Sequence, residues 1–315
     1  MPTPQTPDHL LQEALDIAEI YGSGHMALKA GATTVKRTVF DTRVAAARLK
    51  GMKPTVKKDA PRIYERKRIG RMHLVIPDVQ MKHGVRDDHM TWIGNYIVEK
   101  QPDVIVQIGD FADMESISTY LRPMEKEGKR YKKDLESVHK ALDKLFAPIE
   151  AYNRTAAEKY KPRMVLTMGN HEQRISRFVD EHPEFEDVIG LHDLRYASYG
   201  FEVHPFLKVV KIDGVEYSHY FTSGQMGRPC ASAAVQLRTR QCSSVAGHVQ
   251  HTDIAMHPKT QQIALFSGTC YLHDEKYLGQ QDNCQRRQVV MLHEVEEGRF
   301  DPMFASLRYL EKAYS

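Results

Sequence analysis

The sequence lacks any apolar run longer than about 18 residues, so it predicts no membrane-spanning helix. Paired cysteines are missing too. Cys230, Cys242, Cys270 and Cys284 are widely spaced, with no C-x-x-C. That argues against zinc-finger and thiol-redox readings and fits reduced thiols in a cytoplasmic protein. The opening stretch, Met1 to Asp8, is polar and proline-rich, without the apolar segment of a secretory signal. No internal repeat or low-complexity tract is present. Residues 1–28 contain no Lys or Arg at all.

What is present fits a soluble globular chain. The 315 residues are 41% apolar and 27% charged, enough for one large domain or two. The net charge of +3 conceals an asymmetry. Residues 29–71 hold 14 Lys/Arg against three acids, Asp41, Asp59 and Glu65, whereas residues 1–28 and 72–315 each balance to −4. A basic segment ahead of a mildly acidic body predicts two parts with different partners.

In the front part, Leu10, Leu11, Ala14, Leu15, Ile17, Ala18 and Tyr21 mark one face of a helix over residues 8–21. A second short helix is predicted from His25 to Ala30, with a turn at Gly31. A third, capped by Thr33 or Thr34, runs to Leu49 with Val35, Val39, Val44 and Ala45 inward. Three short helices resemble a helix-turn-helix module over residues 1–50, with Lys36, Arg37, Arg43 and Arg48 facing nucleic acid. The plainer alternative is a helical extension packed on the body with a solvated charged face. Residues 51–71, basic and punctuated by Pro54 and Pro61, read as a linker or arm.

The body, residues 72–315, alternates strands and helices, then becomes strand-rich. Buried strands are predicted at Met72–Pro77, Val104–Ile108 and Met164–Met168, with helices over 87–99 and 132–152, the latter with Pro148 as a kink. Residues 114–130 read as an inserted loop. Further strands are predicted at Leu207–Ile212, Val215–Tyr220, Ser244–Ala246, Gln262–Phe266 and Gln288–Val295, with a helix over 231–240. The pattern predicts an α/β fold of two packed mixed β-sheets flanked by helices.

Five strand ends carry metal-type ligands: Asp78, Asp110, Asn170, His219 and His248. Singly, each has an ordinary structural role as a cap, a turn residue or a core histidine. Jointly they predict a divalent metal centre beyond the carboxyl ends of the strands.

In order, Asp78-Val79-Gln80, Gly109-Asp110-Phe111-Ala112-Asp113, Gly169-Asn170-His171-Glu172, His219 and Gly247-His248-Val249-Gln250 resemble the five motifs of the calcineurin-like metallophosphoesterases. With its helical front, the chain resembles bacteriophage-encoded members, which would place it in a host cytoplasm. The resemblance implies a four-layer sandwich and two divalent metal ions. It makes Asp110 the bridge between them, with Asn170, His219 and His248 on one site and Asp78 on the other. It places His171 beside the leaving oxygen and Asp113 behind that imidazole.

The family usually has His where Gln80 and Gln250 stand. Both are carried over as metal ligands. An amide oxygen in place of nitrogen tilts that site toward Mn²⁺ or Mg²⁺, ahead of Fe or Zn²⁺, and weakens it. His83 and His251 stand nearby as substitutes. Arg174, and Arg228 in the glycine-rich loop 223–229, are phosphate-binding candidates. Tyr220 and Phe221 are read as packing residues before base-stacking ones. The expected activity is phosphoester hydrolysis by metal-activated water, on DNA as a phosphodiesterase or nuclease. The alternatives are a phosphomonoesterase acting on a phosphoprotein or nucleotide, and a non-catalytic DNA-binding scaffold. No membrane partner is expected, and the sequence is silent on oligomeric state.

Overall fold

The computed structural model describes residues 6–21, 23–55, 70–274 and 284–315. The chain divides into two compact units, Met1–Lys67 and Arg68–Ser315. Most of the predicted linker, residues 56–69, lies outside the described residues.

The first unit holds α1 (Asp8–Tyr21), α2 (Gly24–Lys29) and α3 (Arg37–Leu49). Leu11, Ala14, Leu15 and Ala18 of α1 meet Ala27 of α2 and Phe40, Val44 and Ala47 of α3. The inward face of α3 therefore differs from the predicted one: Val39 is 44% exposed and Ala45 is exposed. Phe40, the bulkiest apolar residue there, takes the core position, and Val44 and Ala47 follow at helical spacing. Neither threonine caps α3. Its N-cap is Lys36, and Thr33 Oγ1 instead accepts from Val35 N at 3.2 Å within the preceding turn. Residues 30–36 join α2 to α3, a longer link than the three- or four-residue turn of the simplest helix-turn-helix. Lys36 and Arg48 are exposed, Arg43 is half-buried, and Arg37 pairs with Asp41 at 3.5 Å.

The second unit begins with β1 (Arg71–Ile76), α4 (Asp88–Lys100) and β2 (Val104–Gln107). The segment predicted as a loop contains a 3₁₀ turn, Glu115–Ile117, and the short helix α5 (Pro123–Lys126). Next come α6 (Tyr131–Thr155), which runs through Pro148 without interruption, β3 (Arg163–Thr167), α7 (Gln173–Glu181) and β4 (Glu202–His204). The strand-rich half holds β5 (Val210–Ile212), β6 (Val215–Ser218), β7 (Thr222–Ser223), β8 (Arg228–Pro229), α8 (Ala233–Arg240), β9 (Ser244–Ala246), β10 (Thr252–Met256) and β11 (Ile263–Ser267). The unit closes with β12 (Gln288–Glu296), β13 (Arg299–Ser306) and α9 (Leu307–Tyr314).

Two mixed sheets result. One has the order β13-β12-β1-β2-β3-β4, with β1 to β4 parallel. The other has the order β10-β11-β9-β6-β5, with β11, β9 and β6 parallel. Alternate side chains of one strand serve different layers, as a pleat requires. Val75, Val106 and Val290 meet Tyr217, Val245 and Leu265 between the sheets. Leu74, Ile76, Ile105 and Met291 turn outward against Ile93 and Ile97 of α4, Leu142 and Leu145 of α6, and Leu310 of α9. On the far face of the second sheet, Ala246 and Phe266 pack with Val235 of α8. The layers run helix, sheet, sheet, helix, as expected.

Candidate metal centre

All five motif-bearing strands, β1, β2, β3, β6 and β9, are parallel members of their sheets, so their carboxyl ends deliver their loops to one rim. Close approach there demands glycine. A Cβ on Gly169 would meet Asp110 Oδ1 at 2.0 Å, and one on Gly247 would meet Asp78 Oδ1 at 2.5 Å. Four non-glycine residues of the motifs adopt left-handed backbone: Gln80 (φ 45°), Asp110 (φ 52°), His248 (φ 66°) and Gln250 (φ 64°). Such residues cost about 1–3 kcal/mol each and persist only where their surroundings over-determine them.

Glu172 does much of that fixing. It is fully buried. Its Oε2 accepts from Asp110 N at 3.0 Å and Gly169 N at 2.8 Å. Its Oε1 accepts from Ala112 N and from the Tyr196 hydroxyl, both at 3.0 Å. The loops after β1 and β2 also bond each other, Gln80 N to Asp110 O and Met81 N to Phe111 O, both at 2.8 Å. In sequence Glu172 is only the last residue of the third motif; in the fold it is a clamp.

One ligand atom each from Asp110, His219 and His248 lies within 4.8 Å of the others. Asn170 joins them, its Oδ1 3.0 Å from His219 Nε2. His219 Nδ1–H donates to Ile108 O at 2.9 Å, which fixes the ring and leaves Nε2 facing Asp110 Oδ2 at 3.3 Å. His219 is pushed up to about 9: burial opposes its charge, but the Asp110 carboxylate outweighs burial. His248 moves the other way, to about 4, through burial and the His219 charge. Its imidazole is therefore neutral and carries a ligand lone pair, whereas His219 must give up its Nε2 proton to hold a cation. Burial also works against Asp110, yet His171 and His219 together hold its carboxyl below the usual range.

Asp78 and Gln80 form the other flank. Asp78 Oδ1 accepts from His248 N at 3.0 Å. Burial pushes its carboxyl up to about 7 against the pull of His219, with the Asp110 charge adding to the rise. Asp78 Oδ2 and Gln80 Oε1 are buried without hydrogen-bond partners. A buried oxygen with no donor costs about 1–3 kcal/mol, a deficit that a cation placed against both would remove. Gln250 is used differently: its Oε1 accepts from the Tyr271 hydroxyl and from Gln285 Nε2, both at 3.1 Å. His83 is exposed, and the His251 ring lies edge-on to Phe266 at 5.9 Å.

His171 Nδ1 lies 3.1 Å from Asp113 Oδ1. Its Nε2 stands between Arg174, with NH2 at 3.1 Å, and Asp110 Oδ2 at 3.8 Å. Burial and the guanidinium oppose a proton on this ring, but the two carboxylates outweigh them and raise its pKa. Asp113 also accepts from Arg174 NH1 at 2.7 Å and from the buried Lys82 at 2.8 Å. Arg174 is thus committed to Asp113 and His171. Arg228 is exposed on the hairpin formed by β7 and β8. Neither Lys82 nor Arg177, whose NH2 donates to Asn170 O at 3.1 Å, stands out in the amino-acid pattern.

A sequence model of the calcineurin-like phosphoesterase family matches residues 73–235. The chain belongs to this family. No curated protein matches it. The phosphoesterase is therefore a hydrolase of phosphoester bonds that uses divalent metal ions. The match covers Asp78, Asp110, Asn170, His171 and His219 but stops before His248, which the geometry brings to the cluster. Two unpartnered buried oxygens on one flank and a carboxylate, an amide oxygen and two imidazoles on the other make a donor set that fits divalent cations. When bound, such ions supply Lewis acidity toward phosphoryl oxygens and toward the attacking water. A hollow of about 890 Å³ lies at the opposite, amino ends of β2 and β3. Three of its cations are paired, Arg71 with Asp213, Lys100 with Glu99 and Arg163 with Glu202, and the ligand group found among the described residues lies at the other rim.

Proposed function

We propose that the phosphoesterase is a phosphodiesterase acting on DNA, with Mn²⁺ as its preferred ion. The observation that carries this reading is the cleft: about 660 Å³, open to solvent, with Asn170 and His248 in its lining. A diester continues on both sides of its phosphorus and needs an open trench, whereas a closed socket suits a terminal phosphate. Asp110, Asn170, His219 and His248 hold one ion, and Asp78 with Gln80 holds the second, more weakly. Oxygen donors on that flank favour Mn²⁺ or Mg²⁺ over Zn²⁺. His171 donates a proton to the leaving oxygen, and Asp113 fixes its ring. The first unit acts as a helix-turn-helix-like module, with Lys36 and Arg48 contacting phosphates in a sequence-independent, salt-sensitive way.

The test is turnover of bis-(p-nitrophenyl) phosphate, p-nitrophenyl phosphate, plasmid and single-stranded DNA with Mn²⁺, Mg²⁺ and Zn²⁺. Diester and DNA turnover that disappears in Asp110→Asn is expected. Turnover of the monoester alone would replace this reading with a phosphomonoesterase, which the Asp113–His171 pair also suits. Lys36→Ala with Arg48→Ala is expected to weaken DNA binding and flatten its salt dependence; unchanged binding removes the first unit from DNA recognition.

A further inference from the structure

The cleft wall carries chemistry that phosphoester hydrolysis alone does not require. Beside Asn170 and His248 stand three aromatic rings, Tyr120, Phe206 and Tyr220, and one guanidinium, Arg177. Tyr220 is braced from two sides, by Phe206 edge-on at 5.6 Å and by the His248 ring at 4.8 Å. Its neighbour in sequence, Phe221, is buried in the core, so the two residues divide packing and surface roles between them. Tyr120 reaches in from the insertion between β2 and α6 and is 78% exposed. A single large aromatic at that exposure is ordinary; this one lines the same cleft as Phe206 and Tyr220.

Arg177 is the cation that lines this cleft. Arg174, one helical turn before it, is held by Asp113. Arg177 is half-buried, donates to the Asn170 carbonyl, and has no acid partner among the described residues. It also lines a second hollow of about 150 Å³ with Thr119, Lys126, Phe178 and His182, so it divides two adjoining depressions. A guanidinium in that place suits an anion next to the one at the metal ions.

We infer that this wall is a nucleoside subsite: Tyr120 and Tyr220 take the base next to the scissile phosphate, and Arg177 takes the neighbouring phosphate. The inference rests on the phosphodiesterase reading and narrows it. A base lying on an aromatic ring is not paired or stacked in a duplex, so the substrate is single-stranded DNA or a frayed end.

The experiment compares p-nitrophenolate release from thymidine 5′-(p-nitrophenyl) phosphate and from methyl p-nitrophenyl phosphate, with Mn²⁺. The leaving group is common, so only the retained ester group differs. Base stacking is expected to favour the thymidine ester in kcat/KM by about tenfold or more, chiefly through KM. Tyr120→Ala is expected to bring that ratio toward one, whereas Arg177→Gln is expected to leave it and instead to slow cutting of a single strand, which carries the neighbouring phosphate. Tyr120 is exposed, so its truncation leaves the fold intact. A labelled single strand is expected to be cut faster than the same strand in a duplex. A wild-type ratio near one, a ratio that Tyr120→Ala does not move, strand cutting that Arg177→Gln does not slow, or equal cutting of strand and duplex overturns the subsite and leaves the diesterase standing. Turnover of p-nitrophenyl phosphate but of neither diester, or of none of the three, overturns the diesterase reading and the subsite with it.

Discussion

Glu172→Gln tests whether the site is held by a buried clamp. The substitution keeps size and shape and removes one acceptor. Glu172 receives four donors, Asp110 N, Gly169 N, Ala112 N and the Tyr196 hydroxyl, at 2.8–3.0 Å. The new amide group sits best at the Oε1 position, because the Tyr196 hydroxyl can turn to accept from it. Ala112 N–H cannot turn and is left facing another donor, at a cost of about 1–3 kcal/mol. The bonds from Asp110 and Gly169 lose their charge assistance, roughly another 1 kcal/mol together. One effect opposes this: burial and the Asp110 charge raise the Glu172 pKa, so neutralising the carboxyl relieves some repulsion. The net loss is expected to be about 2 kcal/mol, or ~4–8 °C in Tm for a unit of this size.

The larger effect falls on the metal centre. Asp110 keeps its left-handed backbone, φ 52°, partly because its N–H is pinned by Glu172. Loosening that pin spreads the carboxylate over several positions and is expected to weaken Mn²⁺ binding about 10–100-fold, the usual range when support behind a ligand is lost. Urea unfolding gives the first quantity and calorimetric titration with Mn²⁺ the second. Tyr196→Phe, which removes a single donor, is expected to cost about 1 kcal/mol. If Glu172→Gln unfolds at the wild-type urea concentration and binds Mn²⁺ equally well, the clamp argument is wrong.

Three further outcomes are expected. His89, fully buried on α4, is pushed down to about 4 by burial, so it is neutral in the folded protein. Its contribution, about 3 kcal/mol at neutral pH, is complete above the unfolded value near 6.5 and is lost as pH falls toward 4. Urea midpoints across that window should fall in the wild type and fall less in His89→Leu. Asp113→Asn leaves the buried Lys82 and Arg174 without their carboxylate, at about 3 kcal/mol even with Glu115 3.5 Å from Lys82. Adding Lys82→Met should recover part of that loss in urea unfolding, and no recovery would mean that the two side chains are uncoupled. In calorimetric titration, Gln80→Ala should weaken one Mn²⁺ by on the order of tenfold or more, and Gln250→Ala should weaken it less; the reverse order would exchange their roles.

Much of the second unit could be read from sequence because its strands are short apolar runs that end in glycine. Val104–Gln107 and Met164–Thr167 are buried on both faces and announce themselves. The edge elements could not be read in this way. In β10 only partial burial occurs, and β13 carries Pro302 among charged and exposed residues, so neither shows a clean alternation. At the site, the motif side chains were readable one by one, but their supports were not. Lys82 is an ordinary lysine until the loop holding Asp113 is laid against it. Glu172 becomes a clamp only because Asp110, 62 positions earlier in the chain, turns its N–H inward. Arg177 gains its meaning by subtraction, once Arg174 is seen to be committed elsewhere. Each of these depends on loop pairing across distant sequence, which local pattern does not encode.

The two glutamines look equivalent in sequence, each standing where the family usually has histidine. In the fold they are not. Both have left-handed backbone, which sustains the turn that aims the neighbouring motif residue. Gln80 then leaves its amide oxygen buried and unpartnered beside the unpartnered Asp78 Oδ2. Gln250 commits its oxygen to Tyr271 and Gln285 and so braces the chain that follows β11 against the β9 loop. A ligand that must first surrender two hydrogen bonds, each worth about 1 kcal/mol net, starts at a disadvantage to one that surrenders none. The Asp78 flank thus offers two ready oxygens, whereas the His219 flank offers a carboxylate, an amide oxygen and two imidazoles. Unequal donor sets on the two flanks imply stepwise filling, with the His219 side first. They also imply that the departure from histidine adjusts one ion and leaves the other nearly untouched.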